Sequence, residues 1–116
     1  MELEQRIAGS VVIIKVTGDI TLNKGGNVIL KDKVQSLLQQ GHKNLLIDLS
    51  GVSYVDSAGL GELVQAYATT KNRGGALKLL NVTKRLRDLL IVTKLLTVFD
   101  AFDSEADALA SFAAAS

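Results

Sequence analysis

Residues 52–64 read Val-Ser-Tyr-Val-Asp-Ser-Ala-Gly-Leu-Gly-Glu-Leu-Val, and this segment determines how the chain is built around its candidate site. The segment before it, 44–49, is an apolar run that predicts a buried strand. The segment after it, 60–68, repeats apolar residues at helical spacing. A strand therefore leads into a helix here, and Ser57 stands at the first exposed turn of that helix.

Two glycines, Gly59 and Gly61, lie in the first turn of the predicted helix. Each costs a helix about 1 kcal/mol relative to alanine. A helix built only for stability would carry alanine or glutamate at these positions. We interpret the glycines as a sign that something approaches this backbone closely, with the Ser57 hydroxyl at the point of approach.

The composition is that of an ordinary globular domain. The 116 residues are 47% hydrophobic and 22% charged, so we expect a single domain over 1–116 with a real core. The net charge of +1 gives no electrostatic case for binding nucleic acid or an anionic membrane surface. The absence of cysteine excludes disulfides, thiolate metal sites and thiol catalysis.

The apolar runs are too short for a membrane segment. The chain opens with charged residues where a signal peptide would have its apolar segment. No apolar run approaches the roughly 20 residues that cross a bilayer. We therefore expect a cytoplasmic protein without membrane insertion.

Strands and helices alternate along the chain in the predicted order β-β-α-β-α-β-α-β-α. The predicted strands cover 2–7, 11–16, 44–49, 76–80 and 97–99. Helices are predicted from Val28 to Gly41 with Asn27 as cap, from Ser57 to Asn72, and after the caps Thr83 and Ser104. This order predicts an α/β fold with a mixed, mostly parallel sheet of four to five strands packed by about four helices.

Ser57 has two simple interpretations. Catalysis needs a base within hydrogen-bond reach, and the one histidine, His42, is predicted at the opposite edge of the sheet. Asp56 and Ala58 also break the Gly-x-Ser-x-Gly pattern, so a hydrolase is disfavoured. The other interpretation is a helix cap by Asp56 or Ser57, which contributes about 1 kcal/mol.

Cofactor and metal sites have little support. Gly25-Gly26 lacks the remainder of a phosphate-binding loop, and no acidic or histidine cluster has metal-ligand spacing. The basic residues of the third helix are expected to form a solvated face, consistent with the small net charge. We expect no bound cofactor.

A third interpretation of Ser57 is a regulated docking surface. Phosphorylation adds about −1.5 to −2 charges and three acceptor oxygens. A helix start tolerates such an anion, so the fold should survive the modification. The added charge next to Asp56 would repel a partner packed flat against Gly59, Leu60 and Gly61.

The segment Asp56-Ser57-Ala58-Gly59-Leu60-Gly61 resembles the Asp-Ser-x-Gly-Leu/Ile-Gly motif of STAS domains, specifically of the bacterial anti-sigma-factor antagonists. The resemblance covers most of the chain. Gly18-Asp19-Ile20 resembles the turn after the second strand of the family, and the segments 75–79 and 98–99 resemble its last two strands.

This resemblance implies an antagonist without catalytic activity, whose Ser57 is phosphorylated by a cognate anti-sigma factor with serine kinase activity. The unphosphorylated form would bind that kinase and free a sigma factor, and a phosphatase would restore it. ATP would belong to the kinase. The implied partner-binding residues are Asp19, Thr21, Asp56, Ala58, Gly59, Leu60 and Gly61.

The sequence departs from the family pattern at one place. Many members carry an acidic residue where this chain has Thr21, and the following segment, 22–27, is longer and rich in glycine. We therefore expect partner choice to differ from that of the best-known antagonists. The resemblance also allows a second function, a constitutive STAS subunit of a lipid-transport ATPase or a stress-signalling assembly.

Overall fold

The computed structural model describes residues 2–21 and 26–115 as a layered α/β fold. The strands are β1 (Glu2–Ala8), β2 (Val11–Ile20), β3 (Asn44–Val55), β4 (Ala76–Leu80) and β5 (Ala101–Phe102). The helices are α1 (Gly26–Gln39), α2 (Ser57–Asn72), α3 (Lys84–Val92) and α4 (Glu105–Ala115). The predicted loop at 22–25 lies outside the described residues.

The five strands form one mixed sheet in the order β1-β2-β3-β4-β5. β1 and β2 are antiparallel, and every later neighbouring pair is parallel. The hairpin turns at Gly9, whose φ of +63° favours glycine. The predicted fold class, with its initial hairpin and its parallel remainder, is confirmed.

Two layers of helices enclose this sheet. The larger core cluster lies between the sheet and α1, α2 and α3, and it includes Ile14, Ile47 and Leu63. The smaller cluster lies under α4, where Ala108 and Phe112 pack against the opposite face. Because alternate residues of a strand point to opposite faces, the central strands are apolar on both sides.

Most helix ends follow the predicted signals. The Thr83 hydroxyl accepts a hydrogen bond of 3.3 Å from the Leu86 amide at the start of α3. Ser104 accepts one of 3.3 Å from the Asp107 amide at the start of α4. Gly41, at φ +95°, follows the last turn of α1.

The start of α1 differs from the prediction. The helix begins at Gly26, so Asn27 lies within it and does not precede it as a cap. The side chain of Asn27 is outside the described part of the chain. None of the helices in the described ranges is long and apolar enough to cross a membrane.

The predictions for four strands need correction. The last strand lies at 101–102, not at 97–99, because 97–98 complete a turn after α3 and Phe99 is buried in the core. β2 and β3 extend well past their predicted ends, because they continue to pair as far as Ile20 and Val55. β1 is less buried than its alternation predicted: Ile7 is 62% exposed at this edge of the sheet.

Candidate functional site

The candidate site lies at the edge of the sheet where the parallel strands end. β3 ends at Val55 and α2 begins at Ser57, while β4 ends at Leu80 and leads into α3. Carboxyl ends of neighbouring parallel strands meet at one edge, which is where open α/β sheets usually place their sites. His42 precedes β3 and therefore lies at the opposite edge, so it cannot serve Ser57 as a base.

Asp56, not Ser57, caps α2. Its backbone is extended, with φ −92° and ψ −179°, and its Oδ1 accepts a 2.7 Å hydrogen bond from the Gly59 amide. Its carbonyl oxygen accepts a second bond, of 2.9 Å, from the Leu60 amide. Ser57 is exposed, and its hydroxyl has no hydrogen bond to the described residues. Asp56 therefore caps the helix, and the Ser57 hydroxyl is left accessible to water.

Gly59 is required by packing inside the domain. A Cβ added there would overlap the Ile20 carbonyl oxygen and would lie 2.8 Å from its carbonyl carbon. The same carbonyl accepts a 3.3 Å hydrogen bond from the Asp56 amide. The sequence correctly indicated a close approach to this backbone, but the approaching group belongs to β2 and not to a partner.

Gly61 has different surroundings. It is exposed, and a Cβ added there would meet nothing within 4 Å. No contact with the described residues explains a glycine at this helical position. Gly61 therefore remains a position where an outside surface could approach the main chain.

Three of the predicted partner-binding residues are buried. The expectation that a partner packs flat against Gly59, Leu60 and Gly61 is therefore wrong in treating Gly59 and Leu60 as exposed, and Thr21 is buried as well. Gly59 is buried, Leu60 is 6% exposed and Thr21 is 8% exposed. Leu60 is hidden because it lies with Leu63 on the inward face of α2, and both belong to the main core cluster.

The remaining predicted residues are at least partly accessible. Asp56 and Ala58 are half-buried beside the exposed Ser57. Asp19 is also half-buried, and it pairs with Tyr54 where an irregularity interrupts the β2–β3 register. The helix start therefore presents Ser57, Ala58 and Gly61 at an accessible position, with Asp56 as its cap.

A groove of about 390 Å³ adjoins this helix start. It runs between the end of β3 and one side of α3, and its walls are mostly apolar. Tyr54 and Val92 line it and are 46% and 80% exposed. The full lining is Val52, Ser53, Tyr54, Val55, Asp56, Ser57, Thr83, Arg85, Leu86, Asp88, Leu89 and Val92.

Sequence reasoning missed this groove and the part that α3 plays in it. The basic residues of α3 were expected to form a solvated face only, yet Arg85 lines the groove together with Ser57. The helical pattern of α3 did contain a signal for an exposed apolar residue. Leu86 and Leu90 form the buried stripe of α3, and Val92 lies off that stripe.

Glu62 is a buried acid one turn into α2. It is 5% exposed, and its Oε1 makes no hydrogen bond to the described residues. Burial raises the pKa of Glu62, while the positive charge and the backbone amide of Lys31 lower it in part and Asp32 adds to the increase. These neighbours belong to α1, so the carboxyl group is not part of the exposed site.

Metal ligation has no support in the part of the chain that the structure describes. Within residues 2–21 and 26–115, no group of three or more histidine, aspartate or glutamate side chains is placed to hold a metal ion. The site offers a hydroxyl, an exposed helix start and an apolar groove.

The mixed five-stranded sheet, with Ser57 at the start of the helix after its central strand, is the α/β architecture that the resemblance to STAS domains predicts. A family model described as "Mlab, STAS domain" matches residues 3–99. The chain belongs to the STAS domain family.

A curated relative supports this assignment by sequence, and solved structures share the fold. The chain is 39% identical over 88 residues to the anti-sigma-B factor antagonist of Bacillus subtilis, covering 71% of this chain and 80% of that protein. A Thermotoga maritima structure described as a candidate anti-sigma factor antagonist shares the fold, with a TM-score of 0.86 at 21% identity and coverage of 95% and 93%. The phosphorylated form of Bacillus SpoIIAA also shares it, with a TM-score of 0.73 at 17% identity and coverage of 95% and 98%.

Proposed function

We propose that this protein is a cytoplasmic anti-sigma-factor antagonist that is switched by phosphorylation of Ser57. The observation that carries the proposal is the exposed Ser57 hydroxyl at the start of α2, next to a separate capping residue, Asp56. Membership in the STAS family and the 39% identity to an anti-sigma-B factor antagonist support the same function.

The chemical step belongs to the partner. An anti-sigma factor with serine kinase activity binds ATP and transfers its γ-phosphoryl group to Ser57 Oγ. The hydroxyl proton leaves, a new P–O bond forms, and the bond to the β-phosphate breaks to release ADP. Water then hydrolyses the phosphoserine on a phosphatase. This chain itself supplies only the acceptor hydroxyl and the binding surface.

The fold tolerates the modification because the acceptor lies outside the core. Ser57 is the first residue of α2, where free amides and the helix dipole favour a negative charge. The cap bond from the Gly59 amide goes to Asp56 and does not use the serine oxygen. Phosphorylation therefore changes the surface and leaves the main chain of the helix start in place.

The unphosphorylated form binds its partner with two adjoining surfaces. The first is the helix start, formed by Ser57, Ala58 and Gly61. The second is the groove, where Tyr54 and Val92 offer exposed apolar area. A partner packed on both surfaces would bury an anion at Ser57 at a high cost in desolvation, which releases the partner.

The alternative function, a constitutive subunit of a transport or stress-signalling assembly, is not favoured. The fold is compatible with either function, but the relative with 39% identity is an anti-sigma factor antagonist. A constitutive subunit would bind its assembly equally well before and after modification of Ser57.

The direct test uses the full chain, the cognate anti-sigma factor and ATP. Mass spectrometry of the digested product should place one phosphate on Ser57, and the Ser57→Ala variant should remain unmodified. The Ser53→Ala variant is the matched control, because it removes a neighbouring exposed serine but keeps the Ser57 hydroxyl, so it should still be phosphorylated on Ser57. Phosphate on another residue, or none on Ser57, would contradict the proposal.

A further inference from the structure

Arg85 and Ser57 lie at the same edge of the sheet and line the same groove. β3 and β4 are parallel and pair as far as Asp48 and Leu80, and β3 then continues alone beside β2 to Val55. The start of α2 after β3 and the start of α3 after β4 both reach the groove. Ser57 is the first residue of α2, and Arg85 is the second residue of α3. Both border the groove of about 390 Å³.

Arg85 is available for a new partner. It is exposed, and its side chain forms no ion pair or hydrogen bond with the described residues. By contrast, Arg87 on the same helix lies 3.6 Å from Asp103. Among the described residues that line the groove, Arg85 is the only cation, and its neighbour Lys84 lies outside the groove.

The other charged side chains of the groove oppose a phosphate. Two acids, Asp56 and Asp88, also line it, and both repel a dianion. An arginine guanidinium offers a planar fork of donors that matches phosphate oxygens in a bidentate pair. Within the described lining, Arg85 is therefore the one side chain whose positive charge adds to the helix start in offsetting the acids.

We propose that Arg85 binds the phosphate of phosphorylated Ser57 across the groove. The bridge joins the start of α2 to the first turn of α3 and occupies the space between them. The bridge would release a partner in a second way besides charge repulsion, because it makes the apolar lining at Val92 and Tyr54 less accessible. This inference rests on the proposed phosphorylation of Ser57.

The test requires no kinase. Phosphoserine is installed at position 57 by genetic encoding, and the phosphate is titrated by ³¹P NMR in the full chain. The second proton dissociation constant of the phosphate should be about tenfold larger in the wild-type chain than in Arg85→Gln. Arg85→Lys should retain part of this difference, because it keeps the charge but loses the fork.

Two control variants distinguish a specific contact between Arg85 and the phosphate from the general electrostatic effect of nearby charges. Lys84→Gln removes the neighbouring charge outside the groove and should titrate like the wild type. Asp88→Asn removes a repelling acid and should increase the dissociation constant further. Amide spectra of each variant establish that the fold is intact.

Equal titration of the wild type and Arg85→Gln would overturn the bridge, as would an equal effect of Lys84→Gln and Arg85→Gln. The outcome is independent of the proposed function. If no kinase modifies Ser57, the encoded phosphoserine still reports whether Arg85 holds it. If the bridge is absent, phosphorylation can still release a partner by charge alone.

Discussion

Gly59 and Gly61 lie two residues apart in α2 but face different surroundings. Gly59 packs against the Ile20 carbonyl group, whereas Gly61 faces open space. The sequence pattern suggested one reason for both, because a glycine in a helix does not reveal whether its close neighbour is internal or external. Only the path of β2 past the start of α2 separates the two cases.

We expect opposite effects from alanine at these two glycines. Gly59→Ala should lower the free energy of unfolding by at least about 1 kcal/mol, because the added methyl group overlaps the Ile20 carbonyl. Gly61→Ala should raise it by up to about 1 kcal/mol through helix propensity. Urea denaturation of both variants measures the difference. A Gly59→Ala variant as stable as Gly61→Ala would contradict the assigned contact.

Glu62 is a residue at which stability should depend on pH. Burial raises its pKa in the folded chain, so the folded state binds the proton more tightly than the unfolded state does. The free energy of unfolding therefore decreases as pH rises from the unfolded value of about 4.3 through the raised folded value. Above that pH range the buried carboxylate is charged, and the whole free-energy cost of its desolvation lowers the stability of the fold.

The Glu62→Gln substitution should remove this cost. At neutral pH the variant should be more stable by on the order of 1 kcal/mol, because a neutral amide replaces a buried charge whose Oε1 has no hydrogen bond to the described residues. The gain should disappear at pH values below the unfolded pKa. Urea denaturation of both chains across this pH range measures it, and a gain that is constant with pH would contradict the assignment.

Among the elements, α3 forms one wall of the groove. Two neighbouring exposed apolar residues of this helix differ in whether they line it. Val92 is 80% exposed and lines the groove, while Ile91 is 53% exposed and does not. Both lie at the end of the helix, so neither contributes much to the core. Substitutions at these two positions can therefore distinguish an effect on partner binding from an effect on the stability of the fold.

Val92→Asp should weaken binding to the anti-sigma factor by about tenfold or more, because it places a charge in the proposed contact, which would exclude water. Ile91→Asp should leave binding nearly unchanged. Neither change should lower the thermal midpoint appreciably. Calorimetric titration and thermal denaturation provide both readouts. Equal loss of binding in the two variants would remove the groove from the proposed interface.

The elements themselves were largely predictable from sequence, because each depended on local signals. α2 and β4 have their predicted bounds, and Thr83 caps α3 as expected. The misplaced last strand had no such signal: its two residues, Ala101 and Phe102, are a strand only because they pair with β4. The buried positions of Thr21 and Leu60 likewise depend on how β2 and α2 pack, which the local pattern does not specify.

Across the domain, the sheet provides a packed base and the proposed switch lies at its edge. The core clusters on both faces of the sheet do not include Ser57. Modification of the serine can therefore change the binding surface without changing the packed interior. This separation would let the domain keep its fold in both states of the proposed switch.

The most direct measurement compares the affinity of the anti-sigma factor for this chain with serine and with encoded phosphoserine at position 57. We expect the serine form to bind and the phosphoserine form to bind at least about tenfold more weakly, with unchanged thermal stability. The Ser57→Ala chain should bind like the serine form. Equal affinity of the serine and phosphoserine chains would contradict the phosphorylation switch.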